Sequence, residues 1–336
     1  MSNKKTSSFD WNKKSVLITG GTGSFGRKFV EILLKEYRPK RLIVYSRDEL
    51  KQGEMRQVFP DDLTSDRSAM RYFIGDVRDL DRLKRAMNGV NVVVHAAALK
   101  QVPTCEYNPI EAVMTNVMGA RNVIEAAIDM KVEHVLAIST DKAVNPVNLY
   151  GATKLVAEKL FVHANVYSGL GPTHFSCVRY GNVVGSRGSV IPLFLEQRAS
   201  GKVTVTEPRM TRFWLTLEQG VRFVINCINR MQGGEVFVPK IPSMSLGELA
   251  AAIAPNCTQE CVGIRPGEKI HEILISEDEA HNVVDGGDMF IVKPAMVGLY
   301  NGYANDGPKL KRGFKYTSDT NEQRLDAEDL LRLVGL

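Results

Sequence analysis

The 336-residue sequence has no run of about 18 apolar residues, so we expect no membrane-spanning helix. Its first residues are polar and lack the apolar segment typical of a secretory signal. The five cysteines are odd in number and form no C-x-x-C pair, which argues against a disulfide framework and against a zinc site. We therefore predict a cytoplasmic protein with reduced thiols and no bound metal.

A strong charge imbalance is also lacking, since 43 basic and 38 acidic residues leave a net charge of only +5. A protein that binds nucleic acid would show a concentrated basic stripe or a known binding motif, so we expect no such partner. A small anionic ligand fits the modest surplus equally well. The remaining composition is that of an average globular protein, and the length allows two domains or one large α/β domain with additions.

Short β-branched runs alternate with amphipathic stretches from residue 15 onward. This rhythm predicts an α/β fold in which a parallel sheet carries helices on both faces. Right-handed crossovers would place the carboxyl ends of all its strands at one edge, where ligands of such sheets bind. The predicted strands are 15–19, 41–45, 70–74, 91–95, 134–139 and 175–179, and the predicted helical stretches are 28–37, 80–87, 112–130 and 150–167.

The alternation loosens after about residue 182, where Gly, Pro and Arg cluster before helical stretches at 217–231 and 327–334. We predict a dinucleotide-binding domain over 12–182, with a later contribution from about 213–240. A smaller C-terminal lobe over 183–212 and 241–336 would bind the substrate.

The first predicted strand runs directly into the glycine-rich segment GGTGSFG at 20–26, and a helix follows. Glycines at this spacing allow a tight turn, let the backbone approach a pyrophosphate and let the helix pack on the strand, while the helix N-terminus offers free N–H groups. A plain glycine turn is the alternative. The predicted cofactor contacts in this segment are Gly20, Thr22, Gly23, Ser24, Phe25 and Gly26.

The residues after the second strand favour NADP over NAD. An acid about twenty residues past the glycines would bind the ribose 2′-hydroxyl of NAD, whereas an arginine accepts the 2′-phosphate of NADP. In this sequence Arg47 comes before the first acid, Asp48, which favours the 2′-phosphate of NADP. A solvated surface charge is the alternative interpretation of Arg47. The further cofactor-binding candidates are Ser46, Arg47 and Lys51, then Asp76 and Val77 after the third strand, and Ala96, Ala97 and Ala98 after the fourth.

Tyr150 and Lys154 are four residues apart and project from one face of a helix. An ammonium group and the positive nicotinamide ring would lower the pKa of the phenol, so that it acts as a base near neutral pH. The preceding strand ends in Ser139-Thr140, whose hydroxyl suits chemistry at an alcohol. An amphipathic helix with a half-buried tyrosine is the alternative interpretation.

Asp141 and Lys142 add an acid and an amine that simple alcohol oxidation does not need. An acid could protonate a leaving hydroxyl, and an amine could remove a proton from a carbon next to a carbonyl. A surface ion pair is the alternative. Arginines near glycines, at 179, 187, 209 and 212, and the segment RPGEK at 265–269 are compatible with a diphosphate, although each one alone is more typical of a solvated surface.

Several stretches carry a family resemblance, among them YFIGDVRD, HAAALKQVP, STDKAVNPVNLYGATK, RYGNVVGSRGSV and GIRPGEK. The sequence from about residue 14 to 278 resembles the extended short-chain dehydrogenase/reductases that act on nucleotide sugars. Within them it is similar to the inverting UDP-N-acetylglucosamine 4,6-dehydratases (5-epimerising) of the pseudaminic acid and related bacterial glycan pathways. The resemblance implies a Rossmann-type, doubly wound sheet, a recycled NADP, and a homo-oligomer such as a hexamer.

It also implies roles for individual residues. Tyr150 would take the proton of the sugar's 4-hydroxyl, which Thr140 orients, and Lys154 would support it. Lys142 would remove the proton on carbon 5, and Asp141 would help the 6-hydroxyl leave as water. Retaining 4,6-dehydratases carry Asp-Glu at the position of Asp141-Lys142, and 4-epimerases lack the pair.

The substrate contacts that the resemblance implies are Lys100, Asn182, Arg212, Arg265 and Glu268, and Arg187 is a further candidate because it lies among the glycines. Gln101 and Cys105 depart from the family's pattern close to the sugar site, which makes a UDP-sugar a safer expectation than UDP-N-acetylglucosamine itself. The alternatives are a UDP-sugar 4-epimerase, a retaining dehydratase, and a non-catalytic NADP-binding regulator.

Overall fold

The structure is a computed structural model that describes residues 9–62, 68–169, 171–185, 190–294 and 307–335. The strands are β1 (Ser15–Thr19), β2 (Arg41–Ser46), β3 (Met70–Ile74), β4 (Val92–His95), β5 (His134–Thr140), β6 (His174–Tyr180), β7 (Asn182–Val183), β8 (Lys202–Val205), β9 (Thr211–Leu215), β10 (Val236–Pro239), β11 (Ser243–Ser245), β12 (Thr258–Cys261), β13 (Ile273–Ile275), β14 (Val283–Asp285), β15 (Met289–Val292) and β16 (Tyr316–Thr317).

The helices are α1 (Ser24–Ile32), α2 (Glu49–Val58), α3 (Leu80–Ala86), α4 (Val102–Tyr107), α5 (Pro109–Val113), α6 (Gly119–Asp129), α7 (Leu149–Ser168), α8 (Val190–Gln197), α9 (Leu217–Arg230), α10 (Leu246–Ile253) and α11 (Ala327–Val334). Short 3-10 turns lie at Trp11–Lys13, Asp141–Ala143, Arg198–Ser200 and Ala280–Asn282, and π-helical turns at Leu33–Tyr37 and Met114–Met118.

Nine strands of the described chain form the main sheet, in the order β14-β15-β10-β6-β5-β4-β1-β2-β3. The pairs from β10 to β3 are parallel, whereas β15 and β14 add antiparallel at one edge. The strand order reverses between β1 and β4, and ligands of open α/β sheets bind at such a switch point. The predicted Rossmann-type, doubly wound fold is therefore confirmed.

The predicted strands all occur, but two helical predictions differ in detail. The stretch predicted at 28–37 begins earlier, at Ser24, and ends in a π-helical turn. The stretch predicted at 112–130 is divided by a second π-helical turn. Helix α2 was not predicted because it buries only Gln52 and Met55 and leaves Leu50 and Val58 exposed, so no apolar period marks it.

Two hydrophobic cores divide the described chain. The larger one lies on both faces of the main sheet and includes Phe29, Phe161 and Phe237. The smaller one contains Trp214 of β9 together with Phe194 and other side chains from α8, α10 and α11. Strands β14 and β15 belong to the main sheet although they fall within 241–336, which the sequence assigns to the smaller lobe. The lobe boundaries themselves stay a prediction.

No described helix has both the length and the apolar character that crossing a lipid bilayer requires. All five cysteines are free thiols. Across the same described ranges, no group of three or more His, Cys, Asp and Glu side chains is arranged to hold a metal ion.

Candidate active site

The glycine-rich turn after β1 is packed so closely that side chains would not fit. Gly20 has a φ of +66°, and a Cβ built on it would lie 2.9 Å from the Cα of Ala97. A Cβ on Gly26 would lie 2.2 Å from the carbonyl oxygen of Gly21. Helix α1 begins here with Gly23 as its N-cap, so its first N–H groups meet the switch point of the sheet. The turn thus has the form of a cradle for a pyrophosphate.

At the end of β2, an exposed arginine directly follows a serine whose hydroxyl contacts a second hydroxyl group. The hydroxyls of Thr22 and Ser46 are 2.9 Å apart. Asp48 caps α2 by accepting from the backbone N–H of Lys51, whose ammonium also pairs with it and lowers the pKa of its carboxyl. Arg47 is 55 % exposed and contacts Asp76 only at 3.4 Å. Asp48 is therefore held by the helix that it caps, and Arg47 is the more exposed of these two charged side chains.

Thr19 fixes the backbone after β4, on the other side of the switch point. Its hydroxyl accepts from the N–H groups of Ala96 and Ala97 at 3.2 and 3.3 Å, and it lies 2.8 Å from Nδ1 of His95. Burial, with a smaller effect of Lys154, lowers the pKa of His95 to about 3. His95 is therefore a neutral core residue, and the alanine segment that runs on to Ala98 lies against Gly20.

Thr140, Asp141 and Lys142 meet where β5 turns into a 3-10 helix. The Thr140 hydroxyl donates to Oδ1 of Asp141 at 2.8 Å, and Nζ of Lys142 donates to the same oxygen at 3.1 Å. Asp141 is fully buried, and its Oδ2 has no hydrogen-bond partner among the described residues. Burial raises the pKa of Asp141, and the nearby carboxylate of Glu272 raises it further. A buried carboxyl whose pKa is raised is suited to donate a proton.

Tyr150 and Lys154 lie in the first turns of α7, as their spacing predicts. Lys154 is buried and donates to the carbonyl oxygen of Ile138 at 2.7 Å, which leaves two further N–H groups for a ligand. Burial raises the pKa of Tyr150 to about 12, and the largest opposing effect is the charge of Lys142. The lowering of this pKa by an ammonium and the positive nicotinamide ring together stays a prediction; among the protein's own groups, burial outweighs the opposing charge of Lys142.

Residues 269–272, which are distant in sequence, complete the cluster around Asp141 and Lys142. No sequence pattern indicates that Glu272 belongs to it. Oε1 of Glu272 lies 3.2 Å from Nζ of Lys142 and 3.7 Å from Nε of Arg212. Lys269 donates to the carbonyl oxygen of Val144. Contacts between positions more than a hundred residues apart leave no periodic signal in a single sequence.

Asn116 is another residue that sequence reasoning missed. Its side chain accepts from the N–H of Leu99 at 2.8 Å and donates to the carbonyl oxygen of Leu99 and to the Thr153 hydroxyl. It lies in the π-helical turn Met114–Met118 and so joins the segment before Lys100 to α7. A local π turn that displaces one polar side chain inward has no recognisable sequence signal.

The predicted substrate contacts lie in different settings. Arg212 is buried and donates to the carbonyl oxygens of Thr211, Lys269 and Ile270. Asn182 is half-buried on β7, Lys100 is exposed, and the side chain of Arg265 is 63 % exposed and lies 4.0 Å from Glu268. Arg187 falls outside the described residues.

Arg179, one of the arginines considered for phosphate, is not available to a ligand. It is buried and forms ion pairs with Glu158 and Glu279. Burial alone would lower its pKa, but these two carboxylates outweigh that and raise it. This arginine therefore joins α7 to the segment after β13 as a salt-bridged group, and the two carboxylates occupy its guanidinium.

Comparison with known proteins shows strong similarity over nearly the whole chain. It is 50 % identical to the UDP-N-acetylglucosamine 4,6-dehydratase (inverting) of Campylobacter jejuni, covering 97 % of this chain and 98 % of that one. It is 40 % identical to the UDP-glucose 4-epimerase of Rickettsia rickettsii, covering 96 % and 95 %. The X-ray structure of Pen from Bacillus thuringiensis matches with a TM-score of 0.87 and 40 % identity, over 97 % of this chain and 98 % of that one.

Residues 16–294 also match the family described as polysaccharide biosynthesis protein. That span includes the glycine-rich turn, the Thr140–Lys142 segment and the start of α7. The chain therefore belongs to the polysaccharide biosynthesis protein family, within the extended short-chain dehydrogenase/reductases.

Proposed function

We propose that this protein is a UDP-N-acetylglucosamine 4,6-dehydratase that inverts carbon 5, yielding a UDP-2-acetamido-2,6-dideoxy-4-keto hexose of L-arabino configuration. The observation that carries the proposal is the cluster of a buried carboxyl and an amine, Asp141 and Lys142, with Tyr150 beside them. The 50 % identity to an enzyme of that name supports the same conclusion.

We propose NADP as the cofactor. The glycine-rich turn would hold its pyrophosphate, and Arg47, with Thr22 and Ser46, would hold the 2′-phosphate. Support comes from the exposed guanidinium of Arg47 and from the commitment of Asp48 to the cap of α2. When bound, the cofactor would supply reversible hydride transfer, so that the sugar is oxidised at carbon 4 and reduced at carbon 6 with no net change of the cofactor.

The side chains of the cluster would supply the proton transfers. Tyr150 takes the proton of the 4-hydroxyl while the Thr140 hydroxyl orients that group. The resulting ketone acidifies the hydrogen on carbon 5, which Lys142 removes as a neutral amine. Asp141, whose pKa burial raises, gives its proton to the departing 6-hydroxyl, which leaves as water. Carbon 5 then receives a proton on the opposite face, which inverts it.

For the substrate, we propose that Arg212, Arg265 and Asn182 lie along the diphosphate, Glu268 at the uridine ribose and Lys100 at the sugar. Arg187 is proposed from the sequence pattern alone.

The free thiols fit a reducing cytoplasm. We also propose a homo-oligomer, for which exposed apolar side chains such as Tyr107 and Ile110 supply surface.

The test is to incubate the protein with UDP-N-acetylglucosamine in heavy water and follow the product by proton NMR. We expect a new methyl group at carbon 6, deuterium at carbon 5 and inverted configuration there. The same deuterium with retained configuration would assign a retaining dehydratase instead. Formation of the carbon-4 epimer without loss of water would assign an epimerase, the activity named for the Rickettsia relative.

A further inference from the structure

Glu272 is a buried carboxylate held rigidly beside the catalytic cluster. Only 2 % of its surface is exposed, and its backbone N–H donates to the hydroxyl of Ser318 at 2.9 Å, while its carbonyl oxygen accepts from the N–H of Ser318. Its Oε1 faces Nζ of Lys142 at 3.2 Å, and its Oε2 has no hydrogen-bond partner among the residues that the structure describes. A buried carboxylate with an unpaired oxygen is costly to fold, which points to a role in the site.

The charged groups that surround this contact come from four parts of the chain. Lys142 faces Asp141, Glu272, Arg212 and Tyr150, and Glu272 faces Lys142, Arg212, Lys269 and Asp141. Two carboxyl groups thus contact one ammonium, since Asp141 lies 3.1 Å and Glu272 lies 3.2 Å from Nζ.

The two carboxyl groups are not equivalent. Burial raises the pKa of Asp141, and the charge of Glu272 adds to this effect. Burial would also raise the pKa of Glu272, but Lys142, Arg212 and Lys269 outweigh it and lower that pKa. When Asp141 holds the proton that dehydration requires, it is neutral. The negative charge that remains beside Lys142 is then the carboxylate of Glu272.

We propose that Glu272 is a positioning residue for Lys142: it anchors the amine at the end of β5 and sets the pH at which that amine becomes a neutral base. The inference rests on the proposed dehydratase function. Glu272 does not contact the sugar in this role. Its main effect on the reaction passes through Lys142, and its charge also raises the pKa of Asp141.

The proposal predicts a specific change in the pH dependence. A base must lose its proton to act, so the rate rises with pH through the pKa of Lys142. Burial lowers that pKa, but Asp141 and Glu272 outweigh burial and raise it. In Glu272→Gln the charge at position 272 no longer raises the pKa of Lys142, so that pKa falls. The rise of kcat with pH therefore moves to lower pH by about one unit or more. The plateau of kcat falls about tenfold or more, because the glutamine oxygen can still accept from Nζ but no longer holds it by charge.

The experiment measures kcat for UDP-N-acetylglucosamine as a function of pH for the wild type, Glu272→Gln and Glu272→Asp. We expect the aspartate variant, which keeps the charge, to retain a pH midpoint near that of the wild type. Glu235→Gln is the matched control, because Glu235 is equally buried but accepts from the Ser176 hydroxyl, away from the cluster. Its pH midpoint should equal that of the wild type even if the variant is less stable.

The outcomes separate this inference from the function on which it rests. If the wild type forms the 4-keto-6-deoxy product and Glu272→Gln keeps the wild-type pH midpoint, the role of Glu272 is wrong and the dehydratase stands. If Glu272→Gln and Glu235→Gln lose activity equally without any shift, Glu272 is only a structural residue. If the wild type removes no water from this substrate, the function itself is wrong.

Discussion

The side-chain amide of Asn148 donates to the carbonyl oxygen of Gly267 at 2.7 Å. The same side chain caps α7, because its Oδ1 accepts from the N–H of Gly151 at 2.7 Å. One residue therefore both starts the helix that carries Tyr150 and holds the RPGEK segment that carries Arg265 and Glu268. The proposed catalytic and substrate-binding groups are linked through this pair of contacts.

Replacing Asn148 by Asp separates these two contacts. The carboxylate still caps α7, but it cannot donate to Gly267 and instead faces its carbonyl oxygen. Loss of one hydrogen bond and the added repulsion raise KM for UDP-N-acetylglucosamine by about tenfold, while kcat changes less. Steady-state kinetics and the thermal midpoint measure the two effects. Asp326→Asn, which alters the cap of α11 far from the site, should leave KM unchanged; an unchanged KM in Asn148→Asp would show that the link does not hold the segment.

The division of labour between Lys142 and Asp141 gives a second prediction. Lys142→Ala removes the base, so neither deuterium exchange at carbon 5 nor loss of water occurs, although NADP stays bound. Asp141→Asn keeps the base and lacks only the acidic proton. We expect recovered UDP-N-acetylglucosamine to carry deuterium at carbon 5, while loss of water slows by about 10²- to 10⁴-fold.

Proton NMR in heavy water measures both steps in one sample, and fluorescence of the reduced cofactor reports binding. Lys202→Ala is a suitable control because Lys202 pairs with Glu260 on the surface. Normal turnover by Lys142→Ala would overturn the assignment of the base. Equal loss of exchange and dehydration in Asp141→Asn would mean that Asp141 does not act at the second step alone.

Local patterns in the sequence predict the part of the site that lies on consecutive elements. The glycine-rich turn, the end of β5 and the first turns of α7 each carry their signal within a few residues, and right-handed parallel connections bring them to one edge. The strands of the sheet are equally predictable, because buried parallel strands are nearly continuous β-branched runs.

The rest of the candidate site depends on contacts between residues that are distant in sequence. Glu272 reaches Lys142 from 130 residues away in sequence, and Asn116 reaches Leu99 through a π-helical turn. Neither contact has a local sequence pattern. The pKa of Tyr150 likewise depends on how deeply the fold buries it, which no spacing of residues reveals.

The proposed preference for NADP over NAD depends on Arg47. Its guanidinium is more than half exposed and has only a weak contact with Asp76. Arg47→Ala should raise the Kd for NADP by about tenfold or more, the loss expected for one charge-assisted hydrogen bond. The Kd for NAD, which has no 2′-phosphate, should stay within about twofold. Titration calorimetry measures both constants, and Arg56→Ala serves as the control because Arg56 instead pairs with Asp61. Equal weakening of both cofactors would place the 2′-phosphate elsewhere.

Two glycines within helices allow a last, paired prediction about stability and cofactor binding. Gly26 lies in α1 against the backbone of Gly21, where a Cβ would approach the carbonyl oxygen to 2.2 Å, so Gly26→Ala forces helix and strand apart. Gly53 lies in α2 with no atom within 4 Å of an added Cβ. Gly53→Ala should therefore raise the free energy of unfolding by about 0.5–1 kcal/mol through the better helix propensity of alanine.

Denaturant unfolding with and without NADP distinguishes the two variants. We expect Gly26→Ala to lose both stability and the stabilisation that added NADP confers, because the turn that would hold the pyrophosphate is displaced. Gly53→Ala should gain stability and keep the full response to NADP. If Gly26→Ala were stabilised by NADP as strongly as the wild type, the close approach of α1 to β1 would not be what shapes the cofactor cradle.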